Sequence, residues 1–420
     1  MNNKSIGLYQ GIALYIAAIL GSGVLFLSGV TASIAGPASI ISWLIVGLIS
    51  FPLAYSFASL ARKYPDAGGA ATFVRSSFGY HLGNIVGWFY FVTAAVGQTI
   101  VSLTGAFYIS QAFGFSHVET TVFAVFILVM AGLSNYYGVN ISGKVALILS
   151  SLLLVLLLVT IMVSLPRVQW SNFTPFIPNG WFSLGSAATV IFWSFFGWEA
   201  ICNLALQFKR PEKDLVKGTI ISAVVIGLLF LVLSFVTIGT ATYGSQESNL
   251  SPIGVIMGDT FGIGAKVVTA TLAFIICTGT SNAFVASLTQ LGYSLSRDEA
   301  FPNLFLRLHE TTQIPRLMVL FVICFSVAGV LMTNAFSLTF DDILFIPTSL
   351  GILVYILSMA AGIKLFRKYT MAWWASLVSF ILCLLVLPFF RLYIIVPLIV
   401  AVLYAIYMFF SKKYFLIMEG

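Results

Sequence analysis

The chain has 420 residues, of which 60% are hydrophobic and only 8% charged. A globular protein in water carries about 25% charged residues, so a soluble protein is excluded and lipid must be the solvent for most of this surface. The formal net charge of +7 raises nucleic acid as a partner, but the positions of the basic residues, taken up below, account for it otherwise.

Apolar runs of about 20 residues recur, the length a helix needs to cross a hydrocarbon core. None alternates as the strands of a membrane barrel do. The expectation is an all-α membrane protein with twelve transmembrane helices. The first, at 8–31, runs too far and lacks the small-residue site of a cleaved signal peptide, and Gly21-Ser22-Gly23 interrupts it. Spans follow at 38–60, 81–112, 119–136 and 143–165, the third with Gln98 at mid-depth. The sixth, at 184–206, is interrupted by Phe196-Gly197-Trp198-Glu199. The rest fall at 218–243, 263–290, 317–333, 342–363, 372–389 and 392–410. The eighth holds a polar cluster, Thr278, Thr280, Ser281 and Asn282.

With the N-terminus in the cytoplasm, 17 of the 20 Lys and Arg residues fall on the cytoplasmic side, leaving Arg167, Lys266 and Arg391 outside. This is the positive-inside pattern. It explains the basic balance without nucleic acid and puts both termini inside a cell membrane, with the bacterial inner or plasma membrane as the expected location. No loop is long enough for a separate domain, so the whole chain, 1–420, is read as one transporter domain. It divides into two five-helix halves, about 6–165 and 182–363, of inverted topology, with helices 11 and 12 beyond them at about 370–411. Interrupted helices in corresponding positions of two halves point to a transporter binding site.

Backbone N–H groups freed around Gly21, Ser22 and Gly23 suit a carboxylate; small residues there also allow close helix packing. Carbonyls freed near Trp193, Phe195, Phe196 and Gly197 suit an ammonium, and the aromatic rings suit whatever side chain lies between. Together the breaks complement a zwitterion such as an α-amino acid. Glu199 is the one acid placed deep in a span, where a charge is costly and marks function. It either carries a proton or anchors the break through hydrogen bonds. Gln98 needs a partner across a helix interface or a ligand. The polar cluster of span 8 either lines a cation site or bonds its own helix carbonyls. No histidine lies at membrane depth to activate Ser22, which argues against an intramembrane enzyme. The polar positions are too isolated to line a channel. The four cysteines, Cys202, Cys277, Cys324 and Cys383, have no metal-ligand spacing and read as small hydrophobes. No metal or cofactor is expected.

Four stretches resemble the amino acid–polyamine–organocation superfamily over nearly the whole chain. They are Ile19–Phe26; Tyr64–Gly69 with Phe78-Gly79 and Gly87-Trp88; Phe195–Glu199 with Phe208–Asp214; and Ser296–Pro302 with Pro315. The resemblance implies the five-plus-five inverted-repeat fold and alternating access. Within the superfamily the chain looks most like the amino-acid efflux branch, exporters of methionine and branched-chain amino acids. By similarity, Ser22 and Gly23 take the substrate carboxylate, and the carbonyls of Ile19, Trp193 and Phe196 take its amino group. Gln98 supplies a polar contact, Phe284 an aromatic wall, and Glu199 a link to gating. The chain departs from many relatives in having no lysine within span 5 after Lys144 and in carrying Gln207 and Val216 where a glutamate and a proline are common. The first departure argues against coupling through such a lysine. The expected activity is secondary transport, by export, of neutral apolar amino acids: methionine, leucine, isoleucine or valine. Proton coupling, import or exchange instead of export, and a monomeric or homodimeric state are left open by the residues.

Overall fold

The structure is a computed structural model that describes residues 6–64, 69–138, 143–198 and 208–418. The regular structure among the described residues is helical, with one isolated parallel bridge between Ile6 and Phe208. Nine helical stretches among them are long and apolar enough to cross a membrane. Outward-facing Leu48, Phe126, Met162, Leu228, Leu331 and Leu385 are all exposed, the surface that lipid rather than water would cover.

The first span is two helices, α1 (Leu8–Leu20) and α2 (Leu27–Ala35), joined by a 3-10 turn over Gly23–Leu25. Then come α3 (Ser39–Lys63), α4 (Gly69–Phe78), α5 (Tyr80–Phe113), α6 (His117–Tyr136) and α7 (Gly143–Ser164). A 14-residue helix, α8 (Phe182–Phe195), ends at the second interruption. The chain resumes as α9 (Val216–Gly239) and two short helices, α10 (Gln246–Leu250) and α11 (Pro252–Phe261). It closes with α12 (Ile263–Arg297), α13 (Arg316–Ala335), α14 (Phe340–Leu365), α15 (Met371–Val386) and α16 (Ile395–Met418).

Most span limits fall within a few residues of those drawn on the sequence. The helices α4, α10 and α11 were not expected, since both segments read as loops. They lie along the bundle ends, and α10 packs so closely on α2 that a Cβ on Gly29 would sit 2.6 Å from the Ser248 and Asn249 carbonyl oxygens. Local signals stop and start the helices. Gly114 takes the left-handed conformation after α5, and Ser116 caps α6 in a box with Glu119. Thr339 and Asp342 form the same box at the head of α14. Such caps satisfy main-chain donors that lipid cannot.

The centre is built on α5, which packs against α12, α14 and α6. Glycines set the approach: a Cβ on Gly105 would lie 2.8 Å from Cys277 Cβ, and one on Gly87 would lie 2.6 Å from Leu295 Cδ2. These two contacts fix α5 and α12 as antiparallel neighbours, and the same register sets Gln98 and Phe284 at one height.

Candidate functional site

Helix α1 leaves helical geometry at Gly21, whose φ of 39° and ψ of −147° favour a residue without a Cβ. Neither Gly21 nor Ser22 provides a side-chain cap. The last turn of α1, which includes Ile19, therefore presents carbonyls, and the start of the next helical segment presents N–H groups, without intrahelical partners. Tyr108 of α5 donates to the Leu25 carbonyl at 2.6 Å and fixes the far side of the break.

The second interruption follows the same logic with different residues. Helix α8 ends at Phe195, Phe196 is extended with ψ 118°, and Gly197 has φ 153°. The Trp193 carbonyl accepts a long, 3.4 Å bond from Phe196 N–H, and Tyr355 of α14 donates to the Phe195 carbonyl at 2.9 Å. Each break is thus braced by one tyrosine from a helix that runs unbroken.

The two breaks face each other. A Cβ on Gly23 would stand 3.4 Å from Trp193 Cδ1 and 3.6 Å from Ser194 Cβ. The same indole reaches α5, where a Cβ on Gly97 would fall 2.5 Å from Trp193 Cη2. Trp193 therefore spans from the first break to the residue beside Gln98. Phe196 stands edge-on to Trp193 at 6.5 Å and to Tyr355 at 5.1 Å, and a Cβ on Gly351 would collide with its ring. Ile19, Ser22, Gln98 and Trp193 are all buried.

Gln98 is fully buried, and neither its Nε2 nor its Oε1 has a hydrogen-bond partner among the described residues. A buried amide with both ends unsatisfied costs several kcal/mol, so the position calls for a water, an ion or a ligand to supply the missing bonds.

Other expected residues are placed differently. Phe195 turns its ring to Phe230 of α9, 5.8 Å away, so its side chain braces the outside of the break rather than lining it. Phe284 packs against the apolar cluster of Phe91, Leu288 and Phe305, separate from that of Trp193, although it shares Gln98's height. In the polar cluster of α12, Thr278 donates to its own helix at Phe274 O, 2.8 Å away, as the self-bonded reading expects. Asn282 instead accepts from Asn135 of α6 at its carbonyl and its Oδ1, at 3.1 and 3.0 Å. Glu199, Cys202 and Gln207 lie outside the described residues. The bracing tyrosines Tyr108 and Tyr355 were not singled out from the sequence, where nothing separates them from the other fifteen tyrosines.

Several groups also line a cavity of about 410 Å³ at the end of the bundle where α2 stops. It is bounded by α2, α5, α6, α10 and the α13–α14 junction, and its lining includes Phe107, Phe340, His117, Gln246 and Asp341. The Phe340 ring stands edge-on to Phe26 at 4.9 Å and near Phe107 at 5.9 Å. These rings lie between the cavity and the first break.

Residues 6–415 match the family described as amino acid permease. The chain is 34% identical over 92% of its length to an uncharacterized amino acid permease, YecA, of Bacillus subtilis, covering 91% of that protein. It is 27% identical to the L-methionine/branched-chain amino acid exporter YjeH of Escherichia coli, covering 91% of each chain. It is 26% identical to the branched-chain amino acid permease BcaP of Bacillus subtilis over 74% of this chain and 71% of that one. The facing breaks and the buried unpaired amide accordingly sit in a membrane transporter and not an enzyme: the chain belongs to the amino acid permease family.

Proposed function

We propose that the chain is a secondary transporter of neutral apolar amino acids, methionine and the branched-chain set, working by alternating access around the two breaks. The observation that carries this is the meeting of Gly23 with Trp193 and Ser194 beside the unpaired Gln98. In this reading N–H groups at Gly21, Ser22 and Gly23 take the carboxylate. Carbonyls of Ile19, Trp193 and Phe196 take the ammonium, and Gln98 adds a polar contact. Phe196 and Gly197 border the side chain, with Phe195 supporting the wall from behind. The apolar surroundings disfavour a charged side chain, which would need a partner to be buried. One methylene changes binding by about 1–3 kcal/mol, so discrimination within this substrate set is modest.

The reading includes twelve spans in two inverted halves, 6–165 and 182–363, with helices 11 and 12 outside them and both termini cytoplasmic. The distribution of Lys and Arg supports that orientation. Export is favoured by the likeness to a methionine and branched-chain exporter along nearly its whole length. Import or exchange by the same site is the second reading, favoured by the likeness to a branched-chain permease. Proton coupling would fall to Glu199.

Counterflow of radiolabelled methionine and leucine in proteoliposomes tests the assignment. Accumulation above that of protein-free liposomes is expected. Signals equal to those of protein-free liposomes for every neutral amino acid would sink it. Glu199→Gln is expected to remove the pH dependence of transport, and an unchanged pH profile would dismiss the proton role.

A further inference from the structure

The polarity of the cavity at the end of α2 comes from side chains, and the fold accounts for most of them. Thr120 donates to Ser110 Oγ and to the Ser116 carbonyl, Asn334 donates to Thr121, and Asn249 Oδ1 accepts from Gly244 N–H. Two aspartates open α14, and they differ. Asp342 Oδ2 accepts from Thr339 N–H at 3.1 Å and Thr339 Oγ1 at 2.6 Å, while its Oδ1 accepts from Tyr393 at 2.5 Å. Its neighbour Asp341 accepts no hydrogen bond among the described residues, and it lines the cavity. The helix head needs one capping carboxylate and has it in Asp342. Asp341 is left over.

We infer that this cavity is a second binding site, distinct from the breaks, that takes a small solute bearing a primary ammonium on an apolar body, with the ammonium on the Asp341 carboxylate. The half-buried carboxylate is the only acidic group in the lining among the described residues, so an anion is disfavoured. Phe107, Phe340, Leu103 and Leu250 supply apolar wall for the body, and the Gln246 amide, which makes no hydrogen bond among the described residues, can donate or accept. The volume falls within the range of small-molecule sites. A charged hydrogen bond to a carboxylate partly withdrawn from water is among the stronger single contacts available. The site does not depend on the central one, since no residue of the breaks lines it.

The test uses the full chain in proteoliposomes with Ser337→Cys, an exposed position on the cavity wall. Labelling by a membrane-impermeant maleimide is measured against the parent chain with its own four cysteines. The probes are 3-methylbutylamine, methionine and 4-methylpentanoate. The amine should slow labelling while the carboxylate, which lacks the ammonium, should not. Protection by methionine as well would assign the site to the transported amino acids, and protection by the amine alone would assign it to free amines. Adding Asp341→Asn should weaken protection by about tenfold or more in concentration, the loss expected of one charge-assisted hydrogen bond, and Asp341→Glu should restore it. Equal protection by amine and carboxylate, or full protection in Asp341→Asn, would overturn the site. Methionine counterflow in the same vesicles separates the two ideas: transport with no protection removes this site and leaves the central one standing.

Discussion

The breaks at the centre and the cavity at the end of α2 are both polar places in an apolar bundle, made by opposite means. At the centre the polarity is main chain: α1 and α8 stop, and the groups they leave are braced from behind by Tyr108 and Tyr355. Gln98 adds a buried side chain with no partner among the described residues. In the cavity the polarity is side chain, ending in one carboxylate. Main-chain groups held by two half-helices discriminate by position and move only when the helices move. A carboxylate on a helix head attracts a cation at longer range and with less regard for its shape. The first suits a substrate that must be carried, the second one that must be caught.

The largest effect expected from this contrast is at Gly97. Its Cβ position is already occupied by the Trp193 indole, so Gly97→Leu must displace the ring that joins the two breaks. Counterflow should fall to background while the protein still purifies as a folded monodisperse species, since overpacking costs about 1–3 kcal/mol. Retained transport would show that Trp193 does not organise the site. Next is Gln98→Ala. Removing an unpaired buried amide should leave the ligand-free protein as stable or more stable in a thermal melt. The rise in Tm given by methionine should shrink, with apparent affinity down about tenfold or more. Loss of ligand-free stability would mean that the amide is already satisfied and its role is structural.

The two interruptions at the centre are legible in the sequence. Gly21-Ser22-Gly23 and Phe196-Gly197 advertise broken helices because glycine in an apolar helix has a local cost that only a local purpose offsets. Span limits were legible because hydropathy is local too. The cavity was not, because Asp341 and Gln246 meet only through tertiary packing and neither carries a motif. The helices α4, α10 and α11 were missed for a related reason: they lie at the bundle ends, where an amphipathic or short helix lacks the length that marks a span. Phe195 shows a finer limit. Its place in the aromatic run was plain, but which way its ring turns depends on Phe230, 35 residues later.

Two smaller effects sharpen the distinction between bracing and binding. Tyr355→Phe removes one hydrogen bond to the Phe195 carbonyl. It should lower stability by about 1 kcal/mol and slow counterflow severalfold, with methionine affinity nearly unchanged, because the phenol holds the break without touching ligand. A selective loss of affinity would instead move Tyr355 into the site. Thr278→Val is the weakest change. The Thr278 hydroxyl donates to its own helix at Phe274 O, a bond that adds little to a helix already formed. Stability should shift by less than about 0.5 kcal/mol, and transport should be the same in sodium and potassium buffers. If the valine variant lost a sodium-dependent component of transport, the hydroxyl would be a cation ligand. The main-chain account of the centre would then be incomplete, because a side-chain cation site on α12 would lie beside it.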